Sequence, residues 1–173
     1  GFFHADLHPG NLMIMDGPTG PQVGFIDLGM VGRFEENTRK TMLYYFNSLV
    51  TGDPAGAARY LTLLAKPNKS SDIDGFRRAF IAVGNKWLRS PNFKEFSLAK
   101  LIMESVVLGS KYRLYYPLEL VLMVKAIITY EGVGNVIMPG FDIQKVSKKH
   151  IRKMLLGEVN PIDLLKTQLQ TAP

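Results

Sequence analysis

The hydrophobic rhythm of the chain changes at about residue 35, and that change limits the folds open to it. Before it lie two short apolar runs, LMIM (12–15) and VGFI (23–26), separated by DGPTGPQ, which is dense in turn formers. That pattern predicts a β-hairpin with a long loop. After it, apolar residues recur at helical spacing. Asp53 followed by Pro54 is an N-cap with proline in the first turn, opening a helix to about Ala65. Ser71 is expected to cap a helix in which Ile73, Phe76, Phe80, Val83 and Trp87 form one stripe. Ser97 begins another, with Leu98, Leu101, Ile102 and Leu108. Pro117 opens a run that is apolar nearly all round, ends at Gly132-Val133-Gly134, and is the expected central buried helix. Asn160-Pro161 starts a last short helix, while 66–71 and 90–92 read as loops. The expected class is α+β, a hairpin unit over 1–34 joined to a helical unit over 35–173.

Composition narrows the rest. The 173 residues are 46% hydrophobic with a net charge of +6, enough to bury a core and too apolar for intrinsic disorder. There are no cysteines, which excludes disulfides, thiolate zinc sites and a cysteine nucleophile. The longest uncharged runs, such as 41–52, are about a dozen residues, so no membrane-spanning helix is expected.

The chemistry concentrates in His4-Ala5-Asp6-Leu7-His8-Pro9-Gly10-Asn11 and, beyond the hairpin, Phe25-Ile26-Asp27-Leu28-Gly29. Phosphoryl transfer needs a carboxylate to orient an acceptor hydroxyl and take its proton, and a second carboxylate and an amide oxygen to hold magnesium on the phosphates. Asp6, Asn11 five residues later, and Asp27 returned by the hairpin to the same edge supply those parts. The pattern H-x-D-x-x-x-x-N, hairpin, D-x-G is that of the catalytic and metal-binding loops of protein-kinase-like folds.

HADLHPGN followed by IDLGMVGR resembles the UbiB family of atypical kinases, the ubiquinone-biosynthesis kinase-like proteins. The stretches Pro117-Leu118-Glu119-Leu120, Glu131-Gly132-Val133-Gly134 and Pro139-Gly140-Phe141-Asp142 are similar to that family's late helix and EGVG turn. The resemblance implies the mostly helical C-terminal lobe of a kinase-like fold, with ATP and magnesium as cofactors. It makes Asp6 the catalytic aspartate, Asn11 and Asp27 the magnesium and nucleotide ligands, and Met13 part of the adenine floor. His4 would brace the D-x-G turn. It further implies support of ubiquinone or related isoprenoid-lipid biosynthesis, with isoprenoid lipids or quinone-biosynthesis proteins as partners. The implied location is a membrane surface, on the cytoplasmic face in a prokaryote or in an organelle of a eukaryote. The phosphate-covering loop, its lysine and the partner glutamate belong upstream, so an N-terminal lobe is expected as a further partner. Without it the fragment is expected to be inactive, and to self-associate or bind nucleotide poorly.

Departures from the kinase pattern are informative. Ala5 replaces the arginine of H-R-D, Leu28 replaces the phenylalanine of D-F-G, and no A-P-E segment follows. A small molecule, a lipid or the nucleotide alone is therefore a better acceptor candidate than a peptide. Two other functions remain open, a non-catalytic ATP-responsive binding module and a small-molecule kinase of the aminoglycoside or choline type. The late helix and EGVG turn argue against the latter.

Each residue also has a plainer reading. Asp6, Asn11 and Asp27 taken singly are turn formers. His4, Asp6 and His8 alternate and would share one face of a strand, a possible transition-metal set, although His8 before Pro9 reads better as a loop hydrogen bonder. Glu131 is either an exposed helix-end carboxylate or a buried acid bonded to a neighbouring loop, and Arg33 either meets a phosphate or makes a surface salt bridge. Lys145, Lys148, Lys149, Arg152 and Lys153 form a solvated helix face or an anionic-lipid contact. Nucleic acid is not expected, because the aromatics keep core spacing instead of interleaving with the cations. Tyr112, Tyr115 and Tyr116 are expected to pack where a helix starts.

Overall fold

Two pairs of short strands sit at one end of a helical layer. The structure, a computed structural model, describes residues 2–89, 97–139 and 143–158. Strand β1 (Phe2–His4) pairs antiparallel with β4 (Val31–Arg33), placing Phe3 opposite Gly32. A Cβ at residue 32 would lie 2.1 Å from the Phe3 ring, so glycine is what lets that ring cross the ladder and stack on Phe34 at 5.0 Å. Between them, β2 (Leu12–Gly17) and β3 (Gly20–Phe25) form the hairpin, in register from Leu12 opposite Phe25 to Gly17 opposite Gly20.

The hairpin is tighter than the sequence reading expected. Its strands extend through Asp16 and Pro21, leaving only Pro18 and Thr19 as the turn. Gly20, at φ 118°, takes the backbone conformation the tight return needs. Pro21 is tolerated because a two-stranded ribbon has only edge strands.

Six helices follow. α1 (Glu36–Thr51) ends at Gly52, whose left-handed backbone (φ 72°) turns its N–H back onto the Leu49 carbonyl. α2 (Pro54–Leu64) begins as expected, with the Asp53 carboxylate accepting from Gly56 N–H at 2.9 Å. α3 (Ile73–Leu88) carries the expected stripe, but its cap is Asp72, not Ser71. Asp72 accepts from Gly75 N–H at 2.7 Å, while the Ser71 hydroxyl donates to the Arg113 carbonyl. α4 (Leu98–Lys111) is capped by Ser97 as read, through Lys100 N–H at 3.0 Å.

α5 (Leu118–Ile137) runs past the expected stop. Gly132 and Gly134 each cost a helix about 1 kcal/mol, which does not end one anchored by packing on either side. The stop comes at Met138, which has an extended backbone as the residue before Pro139. By length and composition this helix is apolar enough to cross a bilayer, a test that a core helix also passes and that the sequence reading did not expect any segment to meet. The search for uninterrupted uncharged runs missed it because Lys125 and Glu131 divide it. One face of it, with Leu120, Met123 and Val124, is built into the core. α6 (Ile143–Glu158) carries the basic cluster on its exposed side and buries Ile151. The expected loop at 90–92 and helix from Asn160 lie outside the described residues.

The core joins α1, α2, α3, α4 and α5 through Tyr45, Leu61, Phe76, Ile102 and Val124, all nearly inaccessible. Each such side chain contributes about 1.5–3 kcal/mol of burial. Tyr112 lies edge-on to Phe76 and Tyr116 packs against the same core, as expected, while Tyr115 is exposed. α5 contacts both β1 and β4, so it ties the helical layer to the strand end.

Candidate active site

The catalytic-loop sequence alternates inward and outward. Ala5 and Leu7 are buried, which anchors the loop, while Asp6 and His8 between and beyond them reach solvent. Ala5 continues the β1–β4 ladder by donating to the Met30 carbonyl at 3.0 Å, and its complete burial leaves no space for a long cation there.

Three backbone-directed bonds hold the two motif segments together. Ala5 to Met30 is the first. His4, itself buried, donates from Nε2 to the Asp27 carbonyl (2.5 Å), the brace expected of it. Its Nδ1 accepts from Asp6 N–H at 3.3 Å, which fixes the Nε2–H tautomer. Ile26 N–H donates to the Asn11 carbonyl at 3.0 Å. Asn11 ends a short 3-10 turn (Pro9–Asn11) that His8 caps, its Nδ1 accepting from Gly10 N–H at 3.0 Å. His8 is thus a loop hydrogen bonder.

Asp27 is exposed, and its Oδ1 accepts from Gly29 N–H at 2.7 Å. A Cβ at residue 29 would sit 3.0 Å from that oxygen, so glycine preserves the turn. The second oxygen, with the Asn11 amide on the segment bonded beside it, is a hard-oxygen pair of the kind magnesium takes when phosphate and water complete its shell. Among the described residues no group of three His, Cys, Asp or Glu could hold a metal. The transition-metal reading of His4, Asp6 and His8 is further disfavoured because both ring nitrogens of His4, and Nδ1 of His8, are spent on backbone bonds.

Met13 lies exposed on β2, opposite Gly24. The hairpin is apolar on both faces and uncovered, with Met13, Ile14, Met15, Val23 and Phe25 all substantially exposed. Arg33 is exposed on β4, without an ion pair among the described residues.

Two contacts went unforeseen or undecided. Lys125 of α5 places Nζ 2.7 Å from Asp6 Oδ1, and this ammonium, with smaller help from His4 and His8, holds the Asp6 carboxyl below its ordinary value. The available signal was that Lys125 is the lone cation between Arg113 and Lys145. Glu131 is the buried acid of the two readings, accepting from Ala99 N–H at 2.9 Å in the first turn of α4.

A catalytic-type loop and a D-x-G turn braced to one edge, above a helical layer, define the C-terminal half of a kinase-like domain. The comparisons agree. Residues 1–61 match the ABC1 atypical kinase-like domain, and residues 87–142 match the UbiB helical domain. In both its loop-bearing and its helical parts the chain is thus similar to UbiB-family atypical kinase-like proteins. It is 28% identical over 173 residues to a probable protein kinase UbiB of Pasteurella multocida, covering 99% of this chain and 33% of the relative. The corresponding protein of Glaesserella parasuis is 27% identical over 173 residues, covering 99% and 31%. That of Shewanella baltica is 25% identical over 166, covering 95% and 30%. The chain thus spans about a third of the length of the curated relatives it matches. No solved structure matches it significantly.

Proposed function

We propose that this chain carries the catalytic and metal-binding loops of an ATP-dependent phosphotransferase or ATPase. The observation that supports this best is the set of bonds tying His4 to Asp27 and Asn11 to Ile26, which gather three oxygen-bearing side chains of phosphoryl-transfer type on braced segments. In this reading Asp6 orients an acceptor hydroxyl or water and takes its proton as the acceptor oxygen bonds to the γ-phosphorus and the bond to the ADP oxygen breaks. Asn11 and Asp27 would hold magnesium, which when bound offsets phosphate charge. Met13, exposed on β2, would line the adenine side.

By kinship with relatives named probable protein kinase UbiB, the role is support of ubiquinone or related isoprenoid-quinone biosynthesis, at the cytoplasmic face of a bacterial membrane. The exposed cations of α6 fit an anionic bilayer surface, where each contributes about 1 kcal/mol. The uncovered hairpin fits an upstream lobe that supplies the phosphate-covering loop, without which the chain is inactive.

The test is calorimetry of magnesium-dependent ATP and ADP binding by the full-length protein, wild type beside Asp27→Asn and Asp6→Asn. Binding abolished by Asp27→Asn, with turnover lost but binding kept in Asp6→Asn, is expected. Magnesium-independent binding, or none in a folded wild type, refutes the reading. Turnover surviving Asp6→Asn refutes Asp6 as the base, while magnesium-dependent binding without turnover in the wild type points instead to a binding switch.

A further inference from the structure

The catalytic-type loop has no cation of its own. Ala5 is buried, both His4 nitrogens are engaged, and His8 Nδ1 caps the loop's 3-10 turn. A cation nevertheless reaches Asp6, from a helix 119 residues further along the chain. Lys125 is exposed at its tip, but its backbone is fixed: Val124 and Ala126 beside it are buried, and Glu131 one and a half turns on is bonded to α4. The ammonium engages only Oδ1, and Oδ2 has no other partner among the described residues.

Resting on the phosphoryl-transfer reading above, we infer that Lys125 is a positioning residue of this site: its ammonium grips one Asp6 oxygen and thereby aims the other at the acceptor. Holding one oxygen restricts rotation of the carboxylate and leaves a single basic oxygen for the acceptor proton, while rigid α5 keeps the geometry before substrate arrives. The charged or titratable groups facing Asp6 are Lys125 on α5, His4 at the end of β1 and His8 in the loop. Lys125 is the principal cause of the carboxyl's lowered pKa, so its removal moves Asp6 titration upward. A plain surface ion pair would have none of these consequences for turnover.

The test uses the full-length protein with magnesium and ATP, following ADP release with water as acceptor, in wild type, Lys125→Met, Lys125→Arg, Asp6→Asn and Lys125→Met/Asp6→Asn. Lys125→Met should keep magnesium–ADP affinity and the KM for ATP within about twofold while kcat falls about 10- to 100-fold, part of what a positioned base contributes. Its acid limb in the pH–kcat profile should move to higher pH, and Lys125→Arg should recover most of the loss. The double variant should be no slower than Asp6→Asn alone, because both changes remove one function. Lys125→Met with wild-type kcat, an arginine no better than methionine, or additive losses overturns the inference while leaving the phosphoryl-transfer reading intact. A folded wild type without magnesium-dependent nucleotide binding, or with binding and no turnover, overturns both.

Discussion

Glu131 gives the sharpest structural test, because one buried oxygen holds one backbone donor. Its side chain is 7% exposed and Oε2 accepts from Ala99 N–H at 2.9 Å, in a residue that is itself 3% exposed. Two other first-turn donors of α4 are served locally, Lys100 N–H by the Ser97 hydroxyl and Leu101 N–H by the Ser97 carbonyl. Glu131→Ala leaves Ala99 N–H buried and unpaired, at about 1–3 kcal/mol. It also removes a carboxylate from a helix N-terminus, a further 0.3–1 kcal/mol or so. The expected loss is about 1.3–4 kcal/mol. Glu131→Gln keeps an acceptor oxygen and forfeits only the charge, so about 1 kcal/mol or less is expected. Equilibrium urea unfolding of the full-length variants gives the totals, and amide exchange across 97–102 locates them. Alanine and glutamine costing the same, or alanine costing under about 1 kcal/mol with exchange unchanged, would refute the assignment of this oxygen as the cap.

Other expectations are more local. Tyr116→Phe should be neutral or stabilising by up to about 1 kcal/mol in urea unfolding, since its hydroxyl is buried with no partner among the described residues. Gly52→Ala should cost about 1–2 kcal/mol in the same measurement, because φ is 72° and the added methyl meets Leu88 Cδ2 at 3.3 Å. Gly29→Ala crowds Asp27 Oδ1 and should weaken magnesium–ADP binding about tenfold by calorimetry, with the urea midpoint kept. The Asp6 carboxyl is held below its ordinary value of 3.8, so whatever stability its pairing with Lys125 adds is present above that pH and fades as pH falls through the lowered value. Both groups are about half exposed, so the urea midpoint of Lys125→Met should match wild type from pH 5 to 7; a clear drop would mean that α5 needs this pair to fold.

What could be read from the sequence was what neighbouring residues decide among themselves. Asp53-Pro54 and Ser97 opened their helices as read, because a cap and its target amide lie within three residues. Where two good caps adjoin, as at Ser71-Asp72, local chemistry does not choose. The choice fell to the Arg113 carbonyl, 42 residues away, which takes the serine hydroxyl. The helix stop was misplaced for a related reason. Gly132 and Gly134 carry a propensity penalty that packing overrides, whereas the steric veto of Pro139 on Met138 cannot be overridden. At the site, Asp6, Asn11 and Asp27 stood out because their spacing is itself the chemistry, and His4 followed as their brace. Lys125 stood outside that logic. No spacing rule links it to Asp6, and only the packing of α5 against β1 and β4 converts a solitary cation in an apolar helix into a partner for the carboxylate. A charge retained where composition opposes it is therefore the one signal that points from the helical layer back to the loop.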